Sequence, residues 1–345
     1  MKYVRQLAGL TLALMTQSVV AQEEVTVYGR IHLSADVVDT GASRGHGLSS
    51  NASRIGFKGK KDLNYGLKAL WKIETELDVS SEVNSGSKFT SRNRYLGLNY
   101  GRSTVVAGYH DTPFRTLGKK IDVLPDTVAD RRGVLGRDYI GDASFDVRAD
   151  NAVMYVNKFL TGLELRFMRS AGSSSATVGD KTPITSTSLL YKTSQFMLGA
   201  AYEIKEAAAD RTAGVRLLGG VAFDVMQITA IYEQLDFGDS NARLGWDRSV
   251  AGLSAVYKSG LTSFKAQVFV SNNLSGVADS SGRMFAGGVY HELDKSFEIY
   301  GIAARVTNEA NAKYTLTGAN HGDVYRPSAA GADMNSVSFG GIYKF

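Results

Sequence analysis

The sequence predicts an all-β chain: a sixteen-stranded antiparallel transmembrane β-barrel. Three observations predict it. Long segments alternate apolar and polar residues with period two. The connections between them alternate between short and long. No apolar run after the N-terminal segment reaches the 18 residues that would mark a transmembrane helix. The 345 residues include 37 glycines, 17 tyrosines and 15 phenylalanines, but only four prolines and no cysteine. An exported chain without cysteine gains nothing from disulfides. Closing a sheet on itself is then the remaining way to satisfy every backbone group in lipid.

The chain opens with a segment read as a cleaved secretory signal, residues 1–21. Lys2 and Arg5 supply its basic start, Leu7 to Met15 its apolar run, and Val19-Val20-Ala21 its cleavage site before Gln22. Residues 22–345 are the single domain expected to fold. Removing the signal lowers the formal charge from +5 to +3. So small an excess gives no argument for nucleic acid as a partner.

Val25 to Val37 sets the strand pattern. Val25, Val27, Ile31, Leu33 and Val37 share one face; Thr26, Tyr28, Arg30, His32 and Asp36 share the other. Leu67 to Val79 repeats it, with Trp71 and Ile73 against Lys68, Lys72 and Glu74. Each runs about thirteen residues, more than the roughly 9–11 that a tilted strand needs to cross a bilayer. Further strands are expected at Ser53–Leu63, Ser91–Tyr100, Ser103–His110, Arg148–Phe159, Gly162–Ser170, Ser186–Gln195 and Phe196–Glu206. The series continues through Ala213–Phe223, Met226–Phe237, Ser249–Ser259, Thr262–Asn272, Arg283–Glu292, Phe297–Thr307 and Asn335–Phe345. The total is even, as single-chain bacterial barrels require. The last strand ends its alternating apolar row on Phe345 itself.

Among the connections, Gly101–Arg102, Asp224–Val225 and Asp294–Lys295 are short. Asp39–Ala52, Ser80–Thr90, Ala171–Thr185, Gly238–Arg248 and Glu309–Asp333 are long. Short turns on one rim and long loops on the other is the outer-membrane arrangement. The longest connection, residues 112–147, holds Pro113, Pro125 and many charges. Its apolar residues Phe114, Leu117, Ile121, Leu124, Val128 and Leu135 recur every three to five positions. A loop that long is functional when it is ordered. It is expected to fold into the bore and narrow it.

Catalytic signals are poor. The five histidines are scattered without metal-ligand spacing. Gly41 to Gly47 lacks the Gly-Lys-Ser/Thr of a phosphate loop, and no Gly-x-Ser-x-Gly elbow occurs. No enzyme, metal or cofactor is expected.

Taken together, several stretches resemble the general, trimeric porins of Gram-negative outer membranes. They are Val25-Thr-Val-Tyr-Gly-Arg30, Ser53-Arg-Ile-Gly-Phe-Lys-Gly59, Gly66-Leu-Lys-Ala-Leu-Trp71, Tyr95-Leu-Gly-Leu98 and Arg148-Ala-Asp-Asn-Ala-Val-Met-Tyr155, with the terminal Phe345. The resemblance spans the whole mature chain. It implies a homotrimer in the outer membrane, in contact with lipopolysaccharide, whose third loop folds inward. It also implies a cluster of wall arginines facing loop carboxylates across the narrowest point. Arg54, inward by parity, corresponds to the second-strand arginine, Arg92 to that of the fourth strand and Arg148 to the one after the loop. Asp122 and Asp126 are the expected acidic partners. Arg115, Lys119 and Lys120 add positive charge on the loop. The implied function is passive diffusion of small hydrophilic solutes and ions, with a slight preference for anions. A channel selective for phosphate, sugars or dicarboxylates is the alternative, and a surface adhesin or receptor plugged by its own loop a more remote one.

Overall fold

The computed structural model describes residues 24–80, 92–138, 140, 145–173, 182–206, 211–238, 246–318 and 321–345. The expected signal segment and most of the Ser80–Thr90 loop lie outside these residues.

Among the described residues, seventeen strand segments form one antiparallel sheet. They are β1 (Glu24–Asp39), β2 (Arg44–Ser50), β3 (Arg54–Asp62), β4 (Leu67–Glu76), β5 (Arg94–Tyr100) and β6 (Ser103–Asp111). A short helix, α1 (Pro113–Gly118), follows. Then come β7 (Arg148–Leu160), β8 (Leu163–Ser170), β9 (Ile184–Lys192), β10 (Phe196–Glu206), β11 (Arg211–Phe223) and β12 (Met226–Asp236). The chain ends with β13 (Arg248–Ser259), β14 (Thr262–Ser271), β15 (Gly282–Asp294), β16 (Phe297–Asn308) and β17 (Met334–Lys344). Apart from β2 and β3, which both pair with β1, each pairs with the next in sequence, and β1 pairs with β17 from Arg30↔Lys344 to Asp39↔Asn335, so the sheet closes. Gly29 and Phe345 seal the seam by exchanging backbone hydrogen bonds of 2.8 and 3.2 Å.

β2 and β3 are two halves of one wall strand. Both pair with β1, and Ala52 interrupts them in the left-handed region (φ 50°). The barrel therefore has sixteen wall positions. The connection read as a long loop over Asp39–Ala52 is shorter than expected, because residues 44–50 extend the first hairpin. Gly45 and Gly47 leave that stretch with Leu48 as its lone large apolar side chain, too few to reveal a period.

The period-two pattern divides the wall as lipid and water require. Val25, Val27, Leu96, Leu98, Leu217, Phe285, Val337 and Phe339 are all well exposed and share the outer parity. A soluble protein rarely exposes so continuous an apolar surface. The opposite parity carries Arg30, His32, Asp36, Arg54, Glu74, Arg216, Glu233 and Arg248, mostly buried.

Part of this row, including Arg30, Arg216 and Glu233, is covered by described residues of the segment from Thr112 to Val147, while His32 and Asp36 meet Tyr300 and His321. Thr112 caps α1 by accepting from the Arg115 amide (3.2 Å), and Pro113 fills the first turn, where no amide hydrogen is needed. Phe114, Leu117, Ile121, Leu124, Val128 and Leu135 are at most 2% exposed. They form one core with Leu218, Ile231, Leu235, Val250, Phe269 and Met284 of β11 to β15. Fully burying each such side chain stabilises by about 1.5–3 kcal/mol. Two wall glycines make room: a Cβ on Gly199 would strike Leu117, and one on Gly214 would crowd Phe114 and Phe145. The far side of the segment meets β1, where Arg30 NH2 lies 2.5 Å from Asp126 Oδ2. A second segment, between β16 and β17, rests on the first: the Thr315 amide donates to the Gly133 carbonyl (3.1 Å).

Candidate functional site

Between the 112–147 segment and the wall of β3, β4 and β6 lies a charged cavity of about 320 Å³. Among the described residues it is lined by eight basic side chains and five acidic ones. Two carboxylates organise most of them.

The first is Glu74, on the inward row of β4. Arg92 Nε lies 2.7 Å from its Oε1, Lys72 Nζ 3.1 Å from its Oε2, and Arg54 Nε 3.8 Å away. The Tyr28 hydroxyl donates to the same carboxylate at 2.8 Å. The second is Asp111, at the end of β6. Arg115 Nε (2.9 Å), Arg148 Nε (3.0 Å) and Lys119 Nζ (2.5 Å) converge on it. Each carboxylate thus serves three bases. Both acids are withdrawn, with side chains 7% and 8% exposed, whereas Lys72, Arg54 and Lys119 reach 22%, 25% and 46%.

The loop holds its own charges together. Arg132 grips Asp130 through two nitrogens (2.8 and 2.6 Å) and reaches Asp126 at 3.2 Å. Arg131 makes two bonds to Asp146 (2.8 and 3.0 Å). Wall residue Arg216 adds two more (2.8 and 2.5 Å) and donates to Glu233 at 2.6 Å. Its guanidinium also covers the Phe114 ring, 4.0 Å from the centroid. These pairs are almost fully enclosed, so a missing partner leaves a charge stranded.

Burial and neighbouring charges shift the loop's titrations. Burial and the adjacent Asp130 hold Asp122 well above the usual carboxylate range. Burial also acts to raise Asp130, but Arg132 more than offsets it and the group lies low. Burial lowers the Lys119 ammonium to about 8, against the pull of Asp111 and with the help of Arg115.

Seven of the eight residues expected at the site, Arg54, Arg92, Arg148, Arg115, Lys119, Asp122 and Asp126, line this cavity. The structure corrects their pairing. Arg54 and Arg92 face a wall carboxylate, Glu74, and Arg148 faces its cross-strand partner Asp111; the registers of β3 with β4 and of β6 with β7 put acid and base on neighbouring strands. The wall arginine that meets Asp126 is Arg30. Lys120 stands apart. It does not line this cavity, and its electrostatic neighbours are Lys192, Arg166 and Glu164 of β8 and β9. The sequence reading did not single out Lys72, Glu74 or Arg30, although their parity was visible. It also passed over Asp146 and Arg216, whose contact joins residues far apart in the chain.

A family model described as a Gram-negative porin matches residues 8–311. The chain belongs to the Gram-negative porin family. Family and barrel place this porin in the outer membrane. The major outer membrane protein P.IB of Neisseria gonorrhoeae is 32% identical over 127 residues, 34% of this chain and 35% of that protein. P.IB of Neisseria meningitidis serogroup B is 32% identical over 140 residues, 38% and 40%. The porin thus matches about a third to two-fifths of the length of these relatives. Its fold is similar to the anion-selective porin of Comamonas acidovorans, with a TM-score of 0.80 and 21% identity over 94% of this chain and 100% of that one. It is also similar to the trimer form of OmpT from Vibrio cholerae, with a TM-score of 0.68 and 14% identity over 94% and 99%.

Proposed function

We propose that the barrel is a water-filled channel for passive diffusion of small hydrophilic solutes and ions. In this reading the 112–147 segment lies across the bore, the charged cavity is its narrowest stretch, and anions are preferred. One observation carries the sign. Glu74 and Asp111 are buried, and of the six bases they hold Arg54, Lys72 and Lys119 reach water, outnumbering the partly exposed Glu76 beside them, which pairs with Arg92 at 3.1 Å. Low-dielectric walls focus that positive field along the water path. Arginine keeps its charge at any working pH. The anion-selective porin among the structural neighbours agrees with this reading.

Reversal potentials in asymmetric KCl test it. Chloride permeability above that of potassium is expected; a cation preference refutes the assignment. Conductance in steps of three, and an unheated detergent sample that migrates slowly until boiled, are expected of a homotrimer. A silent barrel would point instead to a plugged surface protein.

A further inference from the structure

Just beyond the Glu74 cluster, β3 and β4 bring two lysines to adjacent positions on the inward face. Lys58 and Lys72 are direct cross-strand partners. Side chains so placed stand about 4.5–5.5 Å apart at Cβ, and like charges there destabilise a sheet. The Tyr28 ring relieves part of the repulsion. Lys58 Nζ lies 5.3 Å and Lys72 Nζ 5.4 Å from its centroid, within cation–π range. The remaining relief is unevenly shared. Lys72 has Glu74 at 3.1 Å, but Arg92, Arg54 and the Tyr28 hydroxyl draw on the same carboxylate. Among the described residues, no carboxylate lies within ion-pair distance of Lys58, which is exposed. Two ammonium groups thus face the same water with less than one carboxylate between them.

We propose that this pair is a binding step for doubly charged oxyanions, next to the throat on the side of the short turns. It rests on the anion-conducting reading above and assigns that channel a substrate class. A dianion, either a dicarboxylate or a phosphate monoester, meets both ammonium groups at once. A chloride ion neutralises only one of them. The site therefore favours divalent over monovalent anions even where both enter.

The test is block of the chloride current. Succinate, and separately glucose 6-phosphate, is titrated into the chamber facing the short turns at constant KCl. Wild type, Lys58→Gln, Lys58→Arg and Lys60→Gln are compared. Lys60, on the same row, is already paired with Glu24 at 2.7 Å and serves as the control. Both dianions are expected to block the wild type. Removing one charge-assisted contact weakens block by about tenfold in Lys58→Gln; Lys58→Arg restores it and Lys60→Gln leaves it unchanged. Block by only one of the dianions narrows the class to that chemistry. Equal block in wild type and Lys58→Gln, or no block of the wild type by either dianion, overturns the proposal. A cation-preferring wild type overturns the channel reading instead, which the reversal potential reads separately.

Discussion

Asp146→Asn is the most informative single change in the loop. Asp146 accepts four charge-assisted bonds, two each from Arg131 and Arg216, and its side chain is 3% exposed. Burial raises its pKa, but the two guanidiniums overwhelm that effect and hold it far below the usual range. Removing one member of such a pair costs about 3–5 kcal/mol. Two neighbours soften the loss. Arg216 keeps Glu233, and Asp122, 3.7 Å from Arg131, can ionise to take over. The lower end of the range therefore applies, about 3 kcal/mol, or roughly a hundredfold in the equilibrium for undocking the loop. The apolar core under the loop is worth more: six buried side chains at about 1.5–3 kcal/mol each. The loop should stay docked on average and open more often. Trypsin cleavage after Arg131 or Arg132 reads this opening, since cleavage follows the open population when reclosing is fast. Cleavage about a hundredfold faster is expected, with noisier open-channel current and an intact heat-modifiable barrel. If the folded variant is cut no faster than wild type, Asp146 does not hold the loop.

Three further outcomes follow from the same geometry. With the Lys119 pKa lowered to about 8, the ammonium is charged below that pH and neutral above it. The chloride-to-potassium permeability ratio should fall between pH 7 and pH 9 in the wild type and stay flat in Lys119→Gln. Burial and Asp130 favour the protonated form of Asp122, so Asp122→Asn should leave the reversal potential unchanged, while Asp126→Asn makes the pore more anion-preferring. A Cβ at position 133 would overlap the Thr315 carbonyl. Gly133→Ala should cost about 1–3 kcal/mol as overpacking, loosen the β16–β17 segment and raise trypsin cleavage at Lys313.

The wall was legible because its chemistry has a period. Phe196–Glu206 was bounded correctly from alternation alone, and most other strands were within two or three residues. The same parity placed Arg54 inside. The period is lost where side chains are small, so the glycines of β2 hid its pairing with β1. Parity also gives a face without a partner. Arg216 and Asp146 are both inward and meet only because the sheet closes and the loop crosses to β11. Adjacent Lys119 and Lys120 look alike in sequence, yet they diverge by about 100° on a helical turn, and one binds Asp111 while the other leaves the cavity.

Composition could not reveal the sign of the site for a related reason. A net charge of +5 is spread over 345 residues. The local excess comes from stoichiometry, since Glu74 and Asp111 each hold three bases. A carboxylate has about four lone-pair sites, so it can accept from three donors while neutralising one. Chain length then separates the partners. A short carboxylate stays near the backbone that carries it, whereas the longer stems of Arg54, Lys72 and Lys119 carry their charge to water; Arg92, Arg115 and Arg148 stay as buried as the acids. Lys119 is the most exposed of the six bases, so on the channel reading proposed above it would contribute most to the field that a passing ion meets. On the channel reading proposed above, selectivity would depend less on how many acids and bases line the cavity than on which partners reach the solvent.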